Sequence, residues 1–192
     1  FGDQFEISTT GENRIAPPPD AIPGSLGFGI QGETLGHFGR INSIRIGRYQ
    51  LDNVVAGFID PEYKGSTFGE VLVGLGLLSR FNFTYDYPHR RMFLEPNHTF
   101  ERPFEYNMSG LWVGRLEGDH LNIRAVVPDS PAAEAGITAE DKIVRINGRL
   151  VREVADPWVL EPMLQRAGET VTLTLLRDGK TVDVSIKLRR LI

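Results

Sequence analysis

Asp129-Ser130-Pro131-Ala132-Ala133-Glu134-Ala135-Gly136, followed further on by Ile146-Asn147-Gly148, decides how the C-terminal part of this chain folds. Ser130 can cap a helix whose first position is Pro131, where a missing N–H costs nothing, and Gly136 can take the left-handed conformation that ends it. Asn147-Gly148 is the strongest short hairpin signal, so the strand-like segment Asp141-Lys142-Ile143-Val144-Arg145-Ile146 turns back there. Working outward, Leu111-Trp112-Val113 and the apolar residues 121–127 flank the polar turn Glu117-Gly118-Asp119-His120 as a hairpin requires. On the other side, residues 158–164, closed by Ala167-Gly168, suggest a second helix. Residues 171–176 and 182–188 alternate around Asp178-Gly179 as a final hairpin.

This order of elements resembles bacterial PDZ domains attached to proteases, and the resemblance covers residues 108–192. It implies a groove between a strand and the second helix, where an extended peptide adds as an extra strand and its free C-terminus meets backbone N–H groups. By position Gly110 and Leu111 form the carboxylate-binding turn, Leu111, Trp112 and Val113 the strand edge, and Val159, Leu160, Met163 and Leu164 the helix side. Those four helix residues either line a groove or pack the core, because a helix in a small domain buries most of its apolar face. Trp112 and Trp158 have the same two readings. Pro162 removes a helical hydrogen bond and should break or kink the helix, shortening the groove.

Composition narrows the function classes. The 192 residues, 41% hydrophobic, suffice for one large or two small cores, and the change of pattern near residue 105 favours two. A net charge of -4 and a pI near 5.6 leave no electrostatic footprint for nucleic acid. Basic pairs are limited to Arg90-Arg91 and Arg189-Arg190, which read as solvated surface. No apolar run is long enough for a membrane span. The absence of cysteine excludes disulfides, thiolate metal sites and a cysteine nucleophile. His37, His89, His98 and His120 lack paired ligand spacing, so no metal site is expected.

Residues 1–104 read as β-rich. Residues 1–8 suggest a strand, residues 24–39 are interrupted by glycines and suggest loops and hairpins, and residues 41–46 and 51–59 are strand-like. Residues 81–87 and 92–94 bracket Pro88-His89-Arg90-Arg91, a hairpin with a basic tip. The runs Ile44-Arg45-Ile46-Gly47, Leu72-Val73-Gly74-Leu75-Gly76-Leu77-Leu78-Ser79-Arg80-Phe81 and Thr84-Tyr85-Asp86-Tyr87 resemble part of a retropepsin-like aspartic peptidase lobe. In that resemblance Leu72, Val73 and Gly74 support the active-site loop, and Gly29, Ile30, Gln31 and Gly32 occupy the place of the flap.

One departure from the family matters most. Acid proteolysis needs two carboxylates sharing a proton, one supplied by each lobe in an Asp-Thr-Gly or Asp-Ser-Gly loop. Neither triplet occurs in the sequence, and the neighbours of Asp3 do not make it a substitute. The resemblance therefore places the catalytic loop just upstream of Phe1, leaves no catalytic residue in this chain, and predicts the chain alone to be inactive. Gly27-Phe28-Gly29-Ile30-Gln31-Gly32 matches a dinucleotide fingerprint, but no apolar strand precedes it and no helix follows, so it reads as a loop. The Asn-x-Ser/Thr patterns at Asn82, Asn97 and Asn107 read as chance.

The expected architecture is mainly β: an incomplete acid-protease-like lobe over residues 1–104, then a PDZ domain with two short helices over residues 108–192. The expected function is part of an aspartic endopeptidase whose PDZ domain recruits protein C-termini, the alternative being a non-catalytic peptide-binding scaffold. No cofactor is implied, since the carboxyl pair and water suffice. The expected partners are a peptide or protein substrate and a PDZ ligand with a free C-terminus. A second lobe would come from a homodimer or from upstream in the same polypeptide. The resemblance points to the cell envelope or periplasm.

Overall fold

The computed structural model of the chain describes residues 5–8, 15–29, 32–59 and 71–192. The chain divides into two compact units, one ending at Phe104 and the other formed by residues 105–191.

In the first unit β1 (Phe5–Ser8), β2 (Ile22–Gly29), β3 (Gly32–Ile46), β4 (Tyr49–Ile59) and β5 (Val71–Leu72) form one sheet in the order β2-β3-β4-β1-β5. β4 lies between β3, antiparallel, and β1, parallel. Its residues Val54, Val55, Ala56 and Phe58 are all buried, as a continuous apolar run inside a sheet should be. The glycine-rich segment forms the expected hairpin but not the expected loops. It runs as two long strands, and the reason is packing: a Cβ on Gly36 would lie 2.2 Å from the Phe58 carbonyl oxygen, and one on Gly57 would lie 2.4 Å from Leu26. These glycines allow close approach across the sheet rather than a break in it.

After β5 come the single-turn helix α1 (Leu75–Leu78) and the hairpin β6 (Phe81–Asp86) and β7 (Arg91–Pro96). Tyr49, Phe81 and Phe100 meet with ring centroids 5.3 to 5.9 Å apart, and Tyr49 donates to the Leu94 carbonyl at 3.0 Å. Arg80, buried, donates to the carbonyls of Gly76, Thr99, Phe100, Arg102 and Pro103 and stacks on Phe104 at 3.6 Å. Burial and the nearby Arg102 charge push its pKa down. One side chain thus fixes the path of residues 99–104.

The second unit contains β8 (Leu111–Glu117), β9 (His120–Val126), α2 (Pro131–Glu134), β10 (Lys142–Ile146), β11 (Arg149–Leu150), α3 (Val151–Val154), α4 (Pro157–Met163), β12 (Thr170–Arg177) and β13 (Lys180–Lys187). Its sheet runs β13-β12-β10-β9-β8, all antiparallel, with β11 paired to β10. Ser130 caps α2 by accepting from the Ala133 N–H, and Pro131 occupies the first position. Asn147 and Gly148 have φ values of 49° and 77°, the pair of positive values that a tight hairpin turn demands. Leu121, Ile123, Ile143, Ile146, Leu173, Leu175 and Ile186 build a core between the sheet and the helices. Asp141, 1% exposed, binds Arg177 through both oxygens at 2.6 and 2.7 Å and accepts from the Thr138 N–H at 2.9 Å, pinning the loop after α2 to β12.

Candidate functional site: a strand edge beside a short helix

β8 ends the sheet, and among the described residues it pairs only with β9, so its outer edge is open. Beside it lies α4. Asp156 starts this helix by accepting from the Val159 and Leu160 N–H groups at 2.8 and 2.9 Å, and a tight bond from Leu164 N–H to the Glu161 carbonyl ends it. Pro162 does not interrupt α4, but the helix stops one residue later, at seven residues.

The predicted groove residues divide by depth. Leu111 and Leu164 are 1% and 4% exposed and belong to the core, so for these two the packing reading holds. Val113, Leu160 and Met163 are partly buried against that core, while Val159 stands exposed. Trp112 is half-buried, and its indole N–H is buried without a hydrogen-bond partner among the described residues. The Trp158 side chain lies outside the described residues.

The turn leading into β8 is fastened on every side. Met108 N–H donates to the Leu164 carbonyl at 2.7 Å, just past the end of α4. The Ser109 carbonyl accepts from Ala132 N–H, and the Gly110 carbonyl accepts from Val127 N–H. Gly110 has φ of 80°, and a Cβ there would lie 2.1 Å from Ser130, so only glycine fits. Asn107 and Ser109, missed by the sequence reading, bond both backbone groups of Leu111. The Asn-x-Ser pattern taken for chance was the available signal, because such side chains bind backbone groups two residues on. Burial, with Glu161 nearby, pushes the Tyr106 hydroxyl far above its usual range, so it stays neutral.

In the first unit, Gly29 pairs with Gly32 at the tip of the β2 and β3 hairpin, while Ile30 and Gln31 lie outside the described residues, as does Asp3. The glycine fingerprint therefore joins two strands, not a strand and a helix. Leu72 is half exposed in β5, Val73 packs on the core, and the Gly74 carbonyl accepts from Leu77 and Leu78 N–H at the start of α1. Among the described residues no three His, Asp or Glu side chains gather as a metal site, and no helix is long and apolar enough to cross a membrane.

Residues 107–188 match the PDZ domain family, and the second unit is therefore built on a PDZ domain. A protein of Staphylococcus saprophyticus described as a CtpA-like serine protease is 29% identical over 91 residues, 45% of this chain and 18% of that protein. One from Mesorhizobium japonicum described as a zinc metalloprotease is 43% identical over 63 residues, 33% of this chain and 17% of that protein. The chain spans less than a fifth of these relatives' length. The solved HtrA-type protease AlgW with a decapeptide shares 18% identity at a TM-score of 0.42, covering 91% of this chain and 62% of that one, too slight a likeness to assign a fold. Serine and zinc proteases have no catalytic group in common, so the relatives share no single mechanism with one another. Nor are they aspartic enzymes, and they lend the expected acid-peptidase lobe no support.

Proposed function

We propose that the second unit recruits extended peptide segments for a protease, holding them as an added strand on β8 against the apolar side of α4. The observation that carries this reading is the open edge of β8 lying over the same core as Leu160, Met163 and Leu164. Backbone hydrogen bonds along an edge give affinity, and the apolar wall selects side chains. That the relatives are proteases supports recruitment of substrates or regulators as the use of this groove.

The test is fluorescence anisotropy of the whole chain with a pool of labelled decapeptides rich in β-branched and aromatic residues. Binding is expected, and Val159→Glu should weaken it by about tenfold, the worth of one apolar contact turned to charge. Val159 is exposed, so the variant folds normally. If no peptide binds, the reading fails and an assembly role for a closed groove takes its place. Equal binding by the variant would remove α4 from the site.

For the first unit the aspartic-peptidase reading rests on the sequence resemblance alone. Pepstatin-sensitive cleavage by a natural polypeptide containing this chain and an Asp-Thr-Gly or Asp-Ser-Gly triplet would support it. Cleavage surviving mutation of that aspartate would sink it.

A further inference from the structure

Building on the groove reading above, we propose that the turn before β8 is closed to a terminal carboxylate, so that the site takes internal extended segments of a polypeptide. In an extended strand the N–H and C=O of one residue point the same way and those of its neighbour the opposite way. The Gly110 carbonyl is bonded by Val127, which follows β9, so the two backbone groups of Leu111 face the outer edge, where a ligand would add.

Both are already taken. Leu111 N–H donates to Ser109 Oγ at 3.1 Å, and the Leu111 carbonyl accepts from Asn107 Nδ2 at 2.9 Å. The same two side chains hold each other: Asn107 Oδ1 accepts from the Ser109 hydroxyl at 2.6 Å and from the Ser109 N–H at 2.9 Å. Ser109 is 0% exposed and the bond from Leu111 N–H to its Oγ is buried, so water does not compete for that bond. A carboxylate is only an acceptor and needs free donors. The Leu111 donor is committed to Ser109 Oγ, which Asn107 in turn holds. A ligand strand antiparallel to β8 therefore meets the edge from Val113 onward and leaves it before Leu111. Nothing there requires that it end.

The experiment uses the whole chain and the same labelled decapeptides, each made as free acid, as C-terminal amide, and with four further Gly/Ser residues after its last position. Acid, amide and extended forms should bind within about twofold of one another. Ser109→Ala and Asn107→Ala each loosen the Leu111 N–H, and a preference for the acid of about tenfold should then appear. The second variant is needed because Ser109 is fully buried, and urea midpoints confirm that both fold. A tenfold acid preference in the unmodified chain, or failure of the extended peptides alone, overturns the proposal. Variants that stay indifferent to amidation overturn the roles of Asn107 and Ser109. Loss of all three forms alike sinks the groove reading itself, and this proposal with it.

Discussion

Replacing Gly110 by alanine should unfold the second unit more easily by an amount that its geometry sets. Two costs combine. At φ of 80° an L-residue gives up about 1 kcal/mol for the left-handed conformation. The added Cβ would also sit 2.1 Å from both Cβ and Oγ of Ser130, which is 0% exposed and held in place as the cap of α2, so relief requires the helix or the turn to move. Overpacking of this kind costs about 1–3 kcal/mol, for a total of roughly 2–4 kcal/mol. Gly136 supplies the control: its φ is 68°, but a Cβ there meets nothing within 4 Å, so Gly136→Ala should cost only the first part, about 1 kcal/mol. Urea unfolding followed by tryptophan fluorescence isolates this unit, since both tryptophans, Trp112 and Trp158, belong to it. With a slope of about 1–2 kcal/mol per molar urea, Gly110→Ala should lower the midpoint by about 2 M. If the two variants shift the midpoint equally, the collision with Ser130 does not exist and the placement of the turn is wrong.

Two further outcomes are expected. Arg80→Leu strands the carbonyls of Thr99, Phe100, Arg102 and Pro103 and should destabilise the first unit by about 2 kcal/mol or more. A thermal melt by far-ultraviolet circular dichroism that stays unchanged would rule out that role. Hydrogen bonding to Arg177, aided by Thr138, holds the Asp141 carboxyl below its usual range. Its stabilisation is therefore complete above the unfolded pKa, near 3.9, and is lost as pH falls through the lower folded value. Asp141→Asn should reduce the urea midpoint at neutral pH and flatten its decline below about pH 4, and an acid limb as steep as that of the unmodified chain would contradict this.

Much of the second unit was legible because its determinants are local. A capped helix start at Ser130-Pro131 and a hairpin turn at Asn147-Gly148 need only a few neighbouring residues, and both formed as read. Pro162 did not break α4 as expected, since it lies inside the helix one residue before its end. In the first unit, the glycines of residues 24–39 misled, since a glycine that permits a turn and one that permits two strands to approach look identical in a string of letters. What separates them is the Phe58 carbonyl opposite Gly36 and the Leu26 side chain against Gly57, partners brought in from other strands. Arg80 gave no signal, because the carbonyls that satisfy it belong mostly to a segment some twenty residues on.

The groove divides along the same line. Sequence alone determined that Leu111 to Val113 form a strand and that all but the last of residues 158–164 form a helix, because periodicity and turn residues act over a few bonds. Tertiary structure alone decided which of these apolar residues were core and which were not. Burial depends on the packing of distant elements, and Leu111 and Leu164 sank into the core while Val159 stayed exposed. It also decided that β8 would be an edge and that its first outward hydrogen bonds would be met by Asn107 and Ser109, since only the folded sheet fixes which way a strand's N–H and C=O groups point.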